Sequence, residues 1–141
     1  MKDITDLIGR LFLSFIFLFE AYDSIKYFHT VQETMTNYGI TWKQDLLLSG
    51  AIMLLLLGGT LLLLGYRSSF GAVLLLVYWI PVTFIAHSFW NAPNEIYREE
   101  SMQFMKNLAI IGGLLIVLVN GSGRYSMKRL FATSKVPGIR R

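Results

Sequence analysis

Ionisable side chains inside apolar segments are the part of this 141-residue sequence that could do chemistry. Glu20 and Asp23 lie in the stretch FLFEAYDSIKYFH, residues 17–29, and His87 lies near the end of a later apolar run. Two carboxylates spaced three residues apart share one face of a helix. An ionised side chain at the centre of a bilayer costs on the order of 2.5–3.5 kcal/mol, so such groups usually face the bundle interior or a wet cavity. There they could exchange protons beside a bound quinone, or bind a small polar head group.

The helical rise predicts which polar groups lie at the same depth. At 1.5 Å per residue, Asp23 lies about 6 Å inward from Tyr27, and Glu20 lies about 10 Å inward. Polar residues of two later apolar runs fall at similar heights, so we predict one pocket that opens outward. Its members are Glu20, Asp23, Thr83, His87, Lys106 and Asn107. The alternative is a structural ion pair of Asp23 with Lys106 or Lys26, together with a hydrogen bond of His87 at the interface.

Several kinds of site are missing from the sequence. The chain has no cysteine, which excludes disulfides, thiolate metal ligands and a thiol nucleophile. Its two histidines, His29 and His87, lie on different segments, and no haem-attachment motif occurs, so we predict no metal or haem site. Nucleotide-binding loops and a nucleophile elbow do not occur either. The residues identify no reaction, so whether the chain is an enzyme stays open, and we do not expect catalysis by this chain alone.

The composition indicates a lipid environment. Hydrophobic residues make up 54% of the chain and charged residues 16%, whereas soluble proteins average about 25% charged residues. We predict a single all-α membrane domain over residues 1–141, a four-transmembrane-helix bundle with a short interfacial helix after helix 1. A T-x-x-E capping pattern at Thr30–Glu33 would begin the short helix, and Gly39 would end it. The segments long enough to span a bilayer are residues 4–27, 46–65, 70–90 and 104–121.

Charge asymmetry predicts the topology. Four spans would place both termini and the turn at residues 66–69 on one side. Nine of the 13 Lys and Arg residues fall on that side: Lys2, Arg10, Arg67, Arg124, Lys128, Arg129, Lys135, Arg140 and Arg141. Because positive residues stay cytoplasmic, we predict a multi-pass protein of a bacterial-type inner membrane with both termini in the cytoplasm. The basic tail, residues 122–141, would lie near anionic head groups, and the net charge of +4 then reports topology rather than nucleic-acid binding.

A second group of residues within the spans suggests structural anchoring. Arg10 could extend to lipid phosphates or pair across the bundle. Pro81 predicts a kink in the third span. Glycines in the middle of a membrane helix allow close helix approach within the bundle or, as the alternative, at a dimer face. These glycines are Gly58, Gly59, Gly112 and Gly113.

Four stretches together resemble the DoxX family of small membrane proteins. They are IGRLFLSFIFLF (8–19), LLLLGGTLLLLGYRSSFGAVLLL (54–76), FIAHSFW (84–90) and KNLAIIGGLLIVLVNGSGRYSMKR (106–129). Arg10, His87 and Asn107 match family-like positions, whereas Ala21 stands where family members often have a glycine. Glu20 and Asp23 look particular to this branch. The resemblance implies a subunit of a quinone-linked oxidoreductase of sulfur metabolism, or a four-helix plan that eukaryotic cargo receptors and assembly chaperones also use.

The residues and the resemblance together lead to one function hypothesis and one alternative. The hypothesis is an integral membrane accessory subunit of a quinone-linked redox complex, with a bound quinone as its cofactor and no covalent cofactor. The alternative is a membrane interaction or assembly factor without redox activity that binds a partner protein, a peptide or a lipid head group. In both cases the predicted partners are the lipid bilayer and other membrane protein subunits. No nucleic acid is expected, and self-association is left open.

Overall fold

The computed structural model describes residues 2–123, and side chains from residue 4 onward. This part of the chain is all-α, as predicted, and contains no strand. It consists of α1 (Lys2–Lys26), α2 (Phe28–Asn37), α3 (Gln44–Leu64), α4 (Ser68–Ala86), a 3-10 turn (Phe89–Asn91) and α5 (Tyr97–Asn120). Most of the basic tail predicted at residues 122–141 lies outside the described residues.

Three of the described helices are long and apolar enough to cross a membrane. These segments are Gln44–Leu64, Ser68–Asn91 and Tyr97–Asn120. Helix α1 has 25 residues, which is also long enough, but its sequence includes several ionisable residues. Length and composition therefore identify three spans, and the role of α1 depends on where its charges lie.

The four long helices pack in sequence order around one core. Helix α1 contacts α3, α3 contacts α4, and α4 contacts α5, with a smaller contact between α1 and α5. At the centre, the rings of Phe17 and Trp79 meet edge to face, with centroids 5.1 Å apart, a geometry that aromatic pairs prefer. This contact joins α1 to α4 across the bundle, and the buried side chains of Leu55, Leu75 and Leu114 surround it.

Glycine allows the closest approach in the bundle, where α3 meets α4. A Cβ atom added at Gly58 would lie 2.6 Å from Leu75 Cγ and 3.0 Å from the carbonyl oxygen of Gly71. A Cβ added at Gly71 would lie 3.0 Å from the carbonyl oxygen of Gly58. The two backbones therefore touch directly, which side chains at these positions would prevent.

The other predicted anchoring glycines differ from one another. Gly59 is buried against Leu18 of α1, and Gly113 lies in ordinary contact distance of Leu13. At Gly112 an added Cβ would meet nothing within 4 Å, so the close approach expected there is not formed. The reason is rotation: adjacent helical residues point about 100° apart, and Gly113 takes the inward direction.

The short helix after α1 is confirmed, but its predicted start is wrong. Helix α2 begins at Phe28, directly after the N-cap residue Tyr27, and no side chain caps it. Thr30 already lies inside the helix, where its carbonyl accepts a hydrogen bond from the Thr34 hydroxyl, so the predicted capping box at Thr30–Glu33 does not form. The end is as predicted, because Gly39 adopts a left-handed conformation with φ of 79°.

Aromatic contacts order the connection between α4 and α5. Helix α4 ends at Ala86 rather than at residue 90, and α5 begins at Tyr97, after Pro93, and continues through the span predicted from residue 104. Five aromatic rings at centroid distances of 5.3–6.4 Å hold the connection together: Phe84, Phe89, Trp90, Tyr97 and Phe104. Pro81 lies inside α4 on an exposed face.

The contact of α3 with α4 gives a stability prediction with an internal control. Replacing Gly58 by alanine should lower the free energy of unfolding in detergent by about 1–3 kcal/mol, as overpacking typically does. Gly50 lies on the same helix, and a Cβ there would meet nothing within 4 Å. Gly50→Ala should therefore be neutral or slightly stabilising. Equal effects of the two substitutions on unfolding would contradict the proposed close packing.

Candidate functional site

The polar cluster at one end of the bundle is built around His87, and we call this end the His87 end. His87 caps the C-terminus of α4, where its backbone N–H donates to the carbonyl of Thr83 at 3.2 Å. Its Nδ1 atom lies 2.9 Å from Oε2 of Glu100 on α5. The two side chains are only about one-quarter exposed, at 26% and 25%. His87 and Glu100 therefore join the end of α4 to the first turn of α5.

Aromatic residues flank Glu100 in the chain, where Tyr97 precedes it and Phe104 follows it on α5. The charge of Glu100 also reaches the end of α2, because burial and this carboxylate together hold the pKa of the Tyr38 phenol above its usual range. Sequence analysis missed Glu100 because it lies in a polar loop-like stretch, NEIYREES, that gave no reason to single out one carboxylate.

Glu20 lies on the inward side of α1. Its neighbours on that side, Phe17, Ala21 and Ser24, are buried, and Glu20 itself is half-buried. The charge of Glu20 interacts with Asp23 on the same helix and with His87 on α4. The same charge interacts electrostatically with the phenol of Tyr78 on α4. The structure thus brings Glu20, Asp23 and His87 into one electrostatic cluster, with Glu20 the member furthest from the end of α1.

Thr83 and Trp79 line the inward face of α4 below this cluster. Thr83 is fully buried, and its hydroxyl donates to the carbonyl of Trp79 at 2.7 Å. The indole Nε1 of Trp79 is buried and has no hydrogen-bond partner among the described residues. A buried N–H without an acceptor is costly, so this group is the one best placed to gain from an acceptor atom on a ligand. Sequence analysis missed this group, because a tryptophan in an apolar run does not indicate whether its N–H finds an acceptor.

The remaining predicted pocket residues are not gathered with Glu20. Lys106 is exposed on α5, where it lies beside Met102 and Met105, and Asn107 is half-buried one residue further along. Within the described part of the chain, no ion pair joins Asp23 to Lys106 or to Lys26. Lys26 instead lies over the rings of two tyrosines, Tyr22 and Tyr27, at 5.9 and 5.1 Å from their centroids.

A second polar cluster lies at the opposite end, which we call the Arg10 end. Arg10 is 1% exposed, and its Nε donates to Oδ2 of Asp6 at 3.0 Å. Its Nη1 donates to the carbonyl of Leu62, in the last turn of α3, at 3.3 Å. The guanidinium thus points into the bundle rather than towards lipid phosphates. Nearby, the hydroxyl of Ser122 accepts from the backbone N–H of the buried Ser68 at 3.0 Å.

No three His, Cys, Asp or Glu side chains among the described residues are grouped so that they could hold a metal ion. The groups present at the His87 end can pair charges, form hydrogen bonds and transfer protons. A histidine paired with a carboxylate, as His87 is with Glu100, is suited to proton transfer.

The His87–Glu100 pair gives a prediction with a control one residue away. Glu100→Gln should weaken the attachment of the α4–α5 connection, since a hydrogen bond to a charged partner is worth about 1.5–3 kcal/mol before solvent screening. Amide hydrogen exchange of residues 88–97 should accelerate accordingly. Glu99 is exposed, so Glu99→Gln should leave this exchange unchanged. Equal exchange in Glu100→Gln and the parent protein would show that the pair does not hold the connection.

Comparison with known proteins supports the resemblance seen in the sequence. The sequence model of the DoxX family matches residues 5–88, more than half of the chain. The chain is 28% identical over 130 residues to the inner membrane protein YqjF of Escherichia coli K12, covering 92% of this chain and 94% of YqjF. It is 24% identical over 123 residues to the inner membrane protein YphA of the same organism, covering 87% of each.

A partial match extends beyond bacteria. The chain is 31% identical over 91 residues to the Surfeit locus protein 4 homolog of Schizosaccharomyces pombe, covering 63% of this chain but 29% of that protein. No solved structure matches the chain significantly. The family match, the inner-membrane relatives and the apolar helices agree with one another. The chain belongs to the DoxX family and is a multi-pass protein of the bacterial inner-membrane type.

Proposed function

We propose that the chain is a four-span accessory subunit of a quinone-linked redox complex, with α1 as the fourth span and both termini in the cytoplasm. In this proposal the His87 end faces outward and exchanges protons with a quinone held by the complex. The observation that carries it is the placement of His87, which pairs with Glu100 and shares an electrostatic cluster with Glu20.

The packing of α1 supports a fourth span. Its 25 residues extend about 37 Å, and it packs on α3, where Arg10 contacts Leu62 and Leu18 contacts Gly59. The charges that would oppose insertion turn inward: Arg10 is buried and paired, and Glu20 is half-buried. With α1 spanning, the excess of Lys and Arg falls on the side of the termini.

Proton exchange is supported by the spatial arrangement of three polar side chains at the His87 end. Glu100 lies in the first turn of α5, His87 lies 2.9 Å from it, and the charge of Glu20 on α1 interacts with His87. A histidine that pairs with one carboxylate and lies within electrostatic reach of another is suited to relaying a proton. A quinone takes up protons when it is reduced and releases them on reoxidation, while its electrons would come from a partner subunit that carries a redox centre.

The residues around the cluster fit a quinone in one respect. The buried Nε1–H of Trp79 lacks an acceptor among the described residues, and a quinone carbonyl is an acceptor of the kind it lacks. Phe17 contacts the same indole ring and would offer an apolar aromatic wall. If a quinone binds here, Trp79 would orient its ring and Glu20 would hold the proton that is exchanged.

A comparison of two carboxylates tests the redox role. The tagged chain would be purified with its native partners in mild detergent, and quinone content and quinone turnover would be measured. Because Glu20 would carry the exchanged proton, Glu20→Gln should lower turnover at least about ten-fold with unchanged thermal stability. Glu33 is an exposed carboxylate on α2, and Glu33→Gln should have no effect. A quinone-free preparation, or full turnover in Glu20→Gln, would contradict the proposal.

One observation favours the alternative, a membrane interaction or assembly factor without redox activity. Three phenylalanines on α1 are exposed: Phe12 at 68%, Phe15 at 61% and Phe19 at 68%. Aromatic side chains are enriched at protein interfaces, so this face could bind a helix of another subunit. Copurification of a colourless, quinone-free protein with an unrelated membrane complex would favour this function.

A further inference from the structure

Lys106 lies on the outside of the bundle, on a helix that is apolar enough to cross a membrane. It follows Glu100 by six residues, so it lies about 9 Å further along α5 than that carboxylate. No carboxylate of residues 4–123 lies within ion-pair distance of its ammonium group. A cation at this depth normally pairs with an anion or extends to the interface, and the bundle itself supplies no such anion.

A shallow hollow adjoins this lysine. Its volume is about 470 Å3, and its walls are mostly apolar. Met102, Met105 and Ala109 form these walls, and Ser101 lies at the rim nearer the start of α5. Methionine side chains adapt to irregular shapes, and the small Ala109 leaves room on the helix surface. Such a surface suits a flexible hydrocarbon chain.

The direction of the Lys106 side chain determines where its ammonium group lies relative to the hollow. Side chains of a helix lean towards its N-terminus, so the ammonium of Lys106 is directed towards the His87 end. With α5 spanning the bilayer, the lipid head groups at that end would lie at the level of its first turns. The cation is therefore directed towards the head groups, while the hollow beside it continues to Ala109 at the depth of the acyl chains.

We propose that Lys106 and the hollow beside it form a binding site for an anionic phospholipid. The lipid phosphate pairs with the ammonium group, and one acyl chain occupies the space between Met102, Met105 and Ala109. Charge complementarity selects an anionic head group, and the apolar walls select a lipid over a free anion. The site is separate from Glu20 and His87 and does not depend on the proposed redox role.

Lipid titration of the purified full-length protein tests this site. Dioleoyl phosphatidylglycerol and dioleoyl phosphatidylcholine would be titrated separately in detergent, and bound lipid would be counted by native mass spectrometry. The parent protein should bind phosphatidylglycerol more tightly. Lys106→Gln should lose about five-fold in affinity for that lipid, since one lysine near a membrane surface contributes about 1 kcal/mol, and Lys106→Arg should retain it.

Two further variants make the test specific. Lys43 is exposed at the start of α3, where it lies over Trp42 at 5.1 Å, and Lys43→Gln should keep the preference for phosphatidylglycerol. Ala109→Trp should fill the hollow and weaken the binding of both lipids. Equal affinity of Lys106→Gln and the parent for phosphatidylglycerol would overturn the proposal. So would a preparation in which a partner protein, and no lipid, shields Lys106 from amine-reactive reagents.

Discussion

A charge buried among helices must be matched inside the protein, and Arg10 of α1 imposes this requirement on the bundle. Arg10 is almost fully buried and donates to Asp6 and to the carbonyl of Leu62. The last carbonyls of a helix have no partner within it and carry partial negative charge. Helix α3 therefore offers an acceptor where α1 needs one. Losing one partner of such a buried group costs more than a surface pair contributes, so this contact fixes how α1 lies along α3.

The position of α1 that is fixed at the Arg10 end also determines where Glu20 lies at the His87 end. Once α1 is fixed, Leu18 packs on Gly59 and Phe17 meets Trp79 edge to face. Glu20 follows one turn after Phe17, on the face directed towards α4, about 15 Å along the axis from Arg10. The half-buried carboxylate thereby comes within electrostatic reach of His87. Packing at the centre of the bundle thus connects the two polar ends.

Hydropathy and helical rise predict much of this structure and also show where such arguments stop. The apolar runs predict the long helices, and depth predicts that Glu20 and His87 lie near each other, where the structure gives them an electrostatic interaction. Depth says nothing about direction around a helix, which is why Lys106 was expected in the pocket but lies on the outside. For the same reason, depth could not distinguish Gly113, which faces Leu13, from Gly112, which faces open space. Glu100 could not be predicted, because the helix end at His87 and the turn after it depend on how five aromatic rings of residues 84–104 pack together.

The central claim is that α1 crosses the membrane with its charges turned inward, and cysteine labelling tests it most directly. The natural chain has no cysteine, so single cysteines can be placed at three exposed positions: Ile4, Thr36 and Tyr66. A membrane-impermeant maleimide should label Thr36→Cys in intact cells, and should label Ile4→Cys and Tyr66→Cys only after the membrane is permeabilised. Labelling of Ile4→Cys together with Thr36→Cys from the outside would show that α1 does not cross, and would contradict the account.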